Sequence, residues 1–433
     1  MFVNYTVSNV LSFGHPVTLN LMEERRTSRH KDHVVESAGI RCLRGAVVYG
    51  PNASGKSNLV SSMLLLKRAI DADDCSVLDG NQFALGDTKS PVMSWEVAFT
   101  SSDDFFVFRF KTDGKVVVEE SLRILEDDEI VLYERDRDGV RLGRLLSEDP
   151  WFDVKVRASS FYLRKVFADG LYERKKNTRA SRKLMTAIDA LTSIEILPPD
   201  SNVKAESLAR NLKVDDFKKF LVRLMQTADV GITDIKWVPI PPHSRIAEMA
   251  KYFFSEKALE ADGVKFFRTR GDFVAVIVRN RRPEFFELRF FHGRVPMRGV
   301  QESDGTIRML EYSVFLYSLF TEEQTWVVDE IDRCLHPFLT RFVATEALNH
   351  PNCKSQIIMT THDVTILTQD IWRTDEVWFT EKRPDGSTDL YSLYQFKPRF
   401  DVDLEKRYRE GRWGAVPVIE RMRYGRKAQE ERA

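Results

Sequence analysis

Residues 50–57 read Gly-Pro-Asn-Ala-Ser-Gly-Lys-Ser, a glycine-rich stretch that matches the phosphate-loop pattern G-x-x-x-x-G-K-[ST] in full. A short apolar run, Gly45 to Tyr49, precedes this stretch, and a helical pattern extends from Ser57 to about Ile70. A strand, a glycine loop and a helix in this order open a nucleotide-binding α/β unit. The stretch therefore predicts an α/β fold of the P-loop NTPase type.

Each part of this phosphate loop has a chemical reason. Glycines let backbone N–H groups surround phosphates, and the start of the following helix adds positive potential. Lys56 is predicted to neutralise the β- and γ-phosphates of ATP, and the Ser57 hydroxyl is predicted to ligate Mg²⁺. The predicted nucleotide-binding residues of the loop are Gly50, Pro51, Asn52, Ala53, Ser54, Gly55, Lys56, Ser57 and Asn58.

A second apolar strand pattern, Thr325 to Val328, ends in two acids. In open α/β sheets, phosphate chemistry takes place at the carboxyl ends of the strands. We therefore expect Asp329 to hold the metal and Glu330 to act as the general base on the attacking water.

A third apolar strand pattern, Ile357 to Met359, runs into Thr360-Thr361-His362-Asp363. The interval between Glu330 and His362 leaves room for one helix, as a crossover between two parallel strands requires. His362 is a candidate catalytic residue that contacts the γ-phosphate, although a single histidine after a strand is also a common structural feature.

Residues 301–306 read Gln-Glu-Ser-Asp-Gly-Thr and precede a helical pattern over about 305–320. Taken alone, Ser303 and Gly305 are equally typical of an ordinary helix N-cap. Their position just before the acidic strand makes them candidates for nucleotide contact.

The rest of the chain divides by pattern into three predicted parts. Residues 1–149 hold two N-terminal strands, the phosphate loop and a β-meander from Val92 to about Leu146. Residues 150–290 form a mostly helical, partly mixed insertion lobe. Residues 291–433 return to helix–strand alternation and carry the acidic strand and His362.

Composition limits the cellular setting. The chain has 433 residues, with 65 basic and 65 acidic side chains, so its net charge alone does not predict attraction to nucleic acid or lipid. It shows no signal-peptide pattern and no apolar run of membrane-spanning length. Four scattered cysteines are typical of reduced thiols, so we expect a cytoplasmic protein with no membrane partner.

Together, the phosphate loop, Glu-Ser-Asp-Gly-Thr, Val-Val-Asp-Glu-Ile-Asp and Thr-Thr-His-Asp resemble the ABC-class ATPase heads of SMC and RecF proteins. More closely, the chain resembles the compact bacterial AAA-family ATPases of the OLD-like, abortive-infection group. The resemblance extends to the start, Val7 to Phe13, and to the end, Tyr408 to Pro417. It implies an ABC-ATPase-type head: a β-meander plus a mostly parallel sheet with flanking helices, and a helical insertion.

The resemblance also implies roles for individual residues. Ser303 and Gly305 would form the signature that touches the γ-phosphate bound by another subunit, and 331–336 would form the D-loop that crosses the dimer interface. His362 would be the switch histidine. The usual signature has an apolar residue and a glycine where this chain has Glu302 and Asp304. Gln82 is the candidate for the Q-loop.

Two functions follow as expectations. In the first, the chain is the ATP-hydrolysing sensor of a bacterial anti-phage defence system that controls a separate, nuclease-like effector, and it works as a homodimer or higher homo-oligomer. In the second, it is a stand-alone DNA repair or recombination ATPase of the RecF/SMC type. DNA binding would use a basic stretch with aromatic neighbours, which has the alternative reading of a solvated helix face: Phe161, Tyr162, Tyr172, Arg174, Lys175, Lys176, Arg179, Arg182 and Lys183.

Overall fold

The computed structural model describes residues 1–24, 29–85, 91–126, 128–168, 178–199, 208, 211–212, 214–228, 230–269, 271–351, 353 and 355–417. Strands and helices within these ranges are numbered in chain order. None of the helices in these ranges has the length and apolar character needed to cross a membrane.

A six-stranded sheet carries the phosphate loop. Its order is β11-β17-β18-β5-β19-β20; the first five strands are parallel and β20 is antiparallel. Every residue of β5, β17 and β18 is buried, as expected for strands covered on both faces. The predicted mostly parallel α/β sheet is confirmed: β5 (Gly45–Tyr49), β11 (Glu195–Leu197), β17 (Thr325–Val328), β18 (Gln356–Thr360), β19 (Val377–Lys382) and β20 (Thr388–Ser392).

A seven-stranded antiparallel sheet contains the predicted meander and the two N-terminal strands. Its order is β10-β9-β8-β7-β6-β1-β2. The last strand of the meander, β10, therefore forms one edge of the sheet, and β2 forms the other. Alternating burial along β6 and β7 places an aromatic face toward the first long helix. The strands are β1 (Phe2–Ser8), β2 (Val17–Asn20), β6 (Met93–Ser101), β7 (Asp104–Thr112), β8 (Val117–Leu125), β9 (Glu129–Arg135) and β10 (Val140–Leu142).

A third sheet, called the side sheet below, has the order β12-β15-β14-β13, and β16 pairs with β15. A small hairpin, β3 with β4, lies apart from all three sheets. The sequence patterns predict strands near Ile235 to Val238, Phe273 to Val278 and Phe285 to Phe291, which correspond to β12, β14 and β15. They missed β13, β16 and the hairpin, since these strands are short or half-exposed. The strands of this region are β3 (Val34–Ser37), β4 (Ile40–Leu43), β12 (Asp234–Ile240), β13 (Gly263–Arg268), β14 (Phe273–Arg279), β15 (Arg282–His292) and β16 (Val295–Arg298).

Helices cover both faces of the six-stranded sheet. One buried apolar cluster joins α1, α4 and the meander to one face, and a second joins α5, α8 and α9 to the other. The helices are α1 (Lys56–Ala72), α2 (Arg144–Ser147), α3 (Tyr162–Ala168), α4 (Arg179–Thr192), α5 (Asp215–Thr227), α6 (Arg245–Phe253), α7 (Glu256–Glu260), α8 (Asp304–Thr321), α9 (Pro337–Asn349) and α10 (Leu404–Arg409).

The predicted insertion lobe, residues 150–290, is joined to the core. Its strand β11 pairs in parallel with β17, with Leu197 opposite Val328, and its helix α5 packs on α8. The side sheet begins within this segment and ends beyond it. The domain boundaries at 149/150 and 290/291 therefore stay predictions. Elements on the two sides of each boundary pack against each other.

The charged stretch from Glu23 to His33 predicts a surface loop. Residues 25–28 lie outside the described ranges, and the prediction is wrong at His33, which is fully buried. Its Nδ1 lies 3.0 Å from both carboxylate oxygens of Glu376, and its Nε2 lies 2.8 Å from Asn349 Oδ1. Burial lowers the pKa of His33, but hydrogen bonding to Glu376 and that residue's negative charge outweigh it and leave the pKa raised.

We expect this buried pair to make stability depend on pH. Because the folded-state pKa of His33 is raised, its contribution is complete below the unfolded value of about 6.5 and is lost as pH rises through the folded pKa. His33→Ala leaves Glu376 buried without its cation and should lower the free energy of unfolding by about 3–5 kcal/mol at pH 6. Urea denaturation at pH 6 and pH 9 measures this; a wild-type-to-variant difference equal at both values contradicts it. His15→Ala, at an exposed ion pair, is the control.

Candidate functional site

The phosphate loop is pressed against the β19–β20 hairpin. Gly55 has φ of 117°, and a Cβ there would lie 2.3 Å from Thr388 Oγ1, so only glycine fits. The Thr388 hydroxyl donates to Ser54 O at 2.8 Å, and Ser54 Oγ lies 2.6 Å from Thr380 Oγ1. These contacts hold the loop's backbone from behind.

Lys56 lies inside the loop with only 4% of its surface exposed. Its ammonium donates to Gly50 O at 2.7 Å and to Pro51 O at 3.1 Å. Burial lowers its pKa to about 8, while the charges of Asp329, Asp332 and Glu330 act in the opposite direction. Lys56 is a buried cation at the N-terminus of helix α1, and its positive charge is incompletely neutralised. This position favours the binding of a polyphosphate.

The lowered pKa of Lys56 predicts pH-dependent nucleotide binding. Below about pH 8 the ammonium is already protonated. Above that value, binding a polyphosphate must also take up a proton, so the affinity should fall, approaching tenfold per pH unit. Titration of a fluorescent ATP analogue between pH 6.5 and 9.5 measures this. A flat affinity across that range shows that the Lys56 charge does not contribute.

The acidic strand β17 delivers two carboxylates to the same edge of the sheet. Asp329 is 2% exposed and its Oδ1 accepts a hydrogen bond from the Thr360 hydroxyl at the end of β18. Glu330 has φ of 50°, a left-handed conformation that costs about 1–3 kcal/mol for a residue with a side chain. Its N–H donates to Thr360 Oγ1 at 2.9 Å, so Thr360 secures both acids.

His362 follows β18 directly, as predicted, and α9 is the single helix between the two strands. Asp332 Oδ1 accepts from the Thr361 hydroxyl at 2.6 Å and from His362 N at 3.2 Å. Burial and then the positive charge of Lys56 lower the pKa of His362. A neutral imidazole is therefore available at this edge, together with Lys56, Asp329 and Glu330.

The predicted signature lies at the N-terminus of α8, away from the phosphate loop of the same chain. Ser303 caps α8, with Thr306 N donating to its Oγ at 3.0 Å, so the N-cap reading is correct as local structure. A Cβ on Gly305 would lie 2.9 Å from Cys334 O, which places the signature beside the predicted D-loop, residues 331–336. In the described ranges, no hydrogen bond joins Ser303 or Gly305 to the phosphate loop.

The acid that departs from the usual signature has a partner of its own. Glu302 Oε1 lies 2.9 Å from His292 Nε2, and its side chain is 5% exposed. Asp304 is exposed in the first turn of α8. The Glu302 carboxylate therefore faces the side sheet, which reduces the expected conflict between this acid and a phosphate.

The remaining predicted binding residues show varied exposure. Asn52, Ala53 and Ser57 are exposed and Asn58 is half-buried, so the Ser57 hydroxyl is accessible to a metal. The amide of Gln82 donates to Asp113 O at 3.2 Å in the meander, and this contact gives no support to a Q-loop role.

Sequence reasoning missed the threonines that support the site. Thr360 and the acid Asp332 stand inside the quoted motifs, so they were recognisable as polar residues near strand ends, but their supporting role was not predicted. Thr380 and Thr388 carry no local signal, because their contacts with Ser54 span more than 300 residues of sequence.

The basic stretch proposed for DNA is only partly inside the described ranges; Tyr172 and residues 174–176 lie outside them. Arg179 pairs with Glu126 at 3.1 Å, and Lys183 pairs with Asp104. Phe161 and Tyr162 are fully buried, so they are not available to stack on bases. The described part of the stretch does not favour a nucleic-acid surface.

The chain has similarities to known proteins in structure and in family. No curated protein matches the chain in sequence. Among solved structures, an SMC head bound to the C-winged helix domain of ScpA has 14% identity and a TM-score of 0.43, and the match covers 92% of this chain and 99% of that one. The SMC head domain from Thermotoga maritima has 11% identity and a TM-score of 0.39, with coverage of 90% and 98%.

The family comparison covers most of the site. Residues 46–368 match the family described as "AAA domain, putative AbiEii toxin, Type IV TA system". The matched range includes the phosphate loop, the predicted signature residues Ser303 and Gly305, both acids and His362. With three quarters of its length matched and a phosphate loop facing two strand-end acids, the chain belongs to this AAA-domain family.

Proposed function

We propose that the chain binds and hydrolyses ATP as the switch of a bacterial anti-phage defence system, of the abortive-infection or toxin type, and controls a separate, nuclease-like effector. The observation that carries the ATPase part is the buried Lys56 at the head of α1, electrostatically coupled to Asp329, Glu330 and His362. The family description, which names a toxin of a type IV system, supports the defence part.

The residues present fit ATP and Mg²⁺. Lys56 and the backbone of Gly50–Lys56 supply positive charge and N–H donors for phosphates. The exposed Ser57 hydroxyl and the Asp329 carboxylate are oxygen ligands, which Mg²⁺ prefers. When bound, the ion neutralises charge on the phosphate oxygens.

The chain's own groups then divide the work of hydrolysis. Glu330 accepts a proton from the attacking water, whose oxygen forms a bond to the γ-phosphorus while the bond to the β,γ-bridging oxygen breaks. Lys56 stabilises the charge that develops on the phosphates. The neutral imidazole of His362 accepts or donates one hydrogen bond beside the γ-phosphate and thereby responds to its departure.

The position of Ser303 and Gly305 favours a shared site. Ser303 is exposed, Gly305 is half-buried, and Gly305 lies beside Cys334 of the predicted D-loop, so a second copy of the chain can present them to the nucleotide held by the first. We propose a homodimer, or a higher homo-oligomer, that closes around ATP and opens after hydrolysis. This alternation would hold and then release the effector.

The test is the composition of a trapped complex. Tagged Glu330→Gln protein is purified from its native host with ATP and Mg²⁺, and its mass and components are measured. A stoichiometric second protein with a nuclease fold supports the proposal. A homodimer alone, or one that carries DNA, contradicts the effector part and favours the repair function; a monomer in ATP contradicts the shared site.

A further inference from the structure

We propose that Asp272, in the turn directly before β14 of the side sheet, is a positioning residue for the ATPase: through Arg298 it fixes the signature loop, residues 298–305, in the orientation that completes the nucleotide site of a second copy. This inference rests on the proposed function and extends it to a part of the chain that has no motif. It makes the side sheet the element that decides whether the shared site is complete.

Asp272 holds the start of the signature loop with both oxygens. It is 3% exposed; its Oδ2 accepts from Arg298 Nη2 at 2.6 Å, and its Oδ1 accepts from Val300 N at 3.0 Å. Glu287, fully buried on β15, accepts from Arg298 Nε at 3.0 Å. One guanidinium is therefore fixed in two directions by carboxylates from the side sheet.

The backbone of the same loop is pressed against the side sheet. A Cβ on Gly299 would lie 1.9 Å from Gly271 O, so the two chain segments touch without any side chain between them. Arg298 N also donates to Gln301 Oε1 at 2.9 Å. The path of the chain into Ser303 is thus set by the segment that contains Asp272.

Two further contacts hold the signature loop and the helix that follows it. His292 at the end of β15 pairs with Glu302, immediately before Ser303. Beyond the loop, Arg268 of β13 donates to Glu311 at 2.5 Å, about two turns into α8. The side sheet therefore holds the signature on both sides, and a rotation of the sheet must turn Ser303.

The same helix reaches the catalytic edge of its own subunit. Tyr312 follows Glu311, and its hydroxyl donates to Ile331 O at 3.0 Å, directly after Glu330. An ion-pair network with buried carboxylates is a costly way to gain stability compared with apolar packing, but it defines direction well. We therefore assign this network to orientation of the signature relative to the acidic strand.

The variant Asp272→Asn keeps the shape and the acceptor for Val300 but removes the charge that fixes Arg298. We expect its affinity for ATP to be unchanged, since the phosphate loop is intact, and its turnover to fall about 10- to 100-fold. Glu284→Gln, an exposed acid on the same strand as Glu287, is the matched control and should keep full turnover.

Subunit mixing separates positioning from simple support of the fold. The Asp272→Asn variant has an intact phosphate loop but a displaced signature. The Lys56→Ala variant has an intact signature but a defective phosphate loop. An equal mixture should recover about a quarter of wild-type turnover, because half of the dimers are mixed and each has one complete site. Ser303→Ala mixed with Lys56→Ala is the reference for recovery.

The outcomes distinguish the two proposals. If the reference mixture recovers and the Asp272→Asn mixture does not, the positioning role is wrong and the shared site stands. If the reference mixture also fails, the shared site is wrong, and this inference falls with it. Full turnover in Asp272→Asn alone also overturns the inference. Should that variant not fold, His292→Gln, which removes the second contact between the side sheet and the signature loop, is put through the same mixture and decides in its place.

Discussion

Glu330→Gln is expected to bind ATP as the wild type does and to lose turnover by about 100- to 10,000-fold, the range for removal of a general base. The amide has nearly the shape of the carboxylate, and the backbone bond from Glu330 N to Thr360 does not depend on the side chain. Single-turnover hydrolysis of labelled ATP, with binding measured separately, gives both quantities.

The control for this substitution lies at the opposite end of the same strand. Glu323 is exposed just before β17, and Glu323→Gln makes the identical chemical change away from the nucleotide. We expect full turnover from it. Turnover within about tenfold of wild type in Glu330→Gln would remove Glu330 from the base role, since that loss is smaller than a base contributes.

Lys56→Ala should weaken ATP binding by about 100-fold or more, because a buried cation that faces the phosphates is lost. The same change should leave thermal stability unchanged or raise it. The pKa of Lys56 is lowered by burial to about 8, which means that the folded state disfavours its charge. Affinity and stability are therefore predicted to move separately, and calorimetry of unfolding beside an ATP titration measures both.

Lys67→Ala is the matched control on the same helix, three turns farther along α1. Lys67 is half-buried, pairs with Asp71 at 3.3 Å and donates a hydrogen bond to Thr192 O, so its loss should leave ATP affinity unchanged while lowering stability through the loss of these two contacts. A parallel loss of affinity and stability in Lys56→Ala would show that Lys56 acts by holding Gly50 and Pro51 rather than by facing phosphate.

Much of the candidate site could be predicted from local sequence, because its residues fall within short contiguous motifs. The glycines and Lys56 stand within eight residues of one another, and Asp329 and Glu330 are neighbours at the end of an apolar strand. A parallel sheet gathers all such strand ends at one edge, so three separate patterns predicted one place. The structure brings Lys56, both acids and His362 together there, although their catalytic roles stay predictions.

The buried His33 shows where this reasoning fails. A charged segment reads as a solvated loop, because a sequence pattern does not reveal that Glu376, more than 300 residues away, supplies the opposite charge. The same limit hid Thr380 and Thr388 behind the phosphate loop. Contacts between distant segments depend on the order of strands in the sheet, and that order has no signature in a single strand.

The amino-acid patterns alone were enough to predict a P-loop α/β protein with a strand that ends in two acids, a strand followed by a histidine, and a β-meander. Each of these features follows from residues that are close in sequence. Only the tertiary structure shows that Asp272 and Glu287 hold Arg298, at the start of the loop that carries the predicted signature. Ion pairs between a strand and a loop form wherever the chain happens to bring opposite charges together, and burial then makes them directional. Such pairs have no period and no fixed spacing, so only tertiary packing decides them.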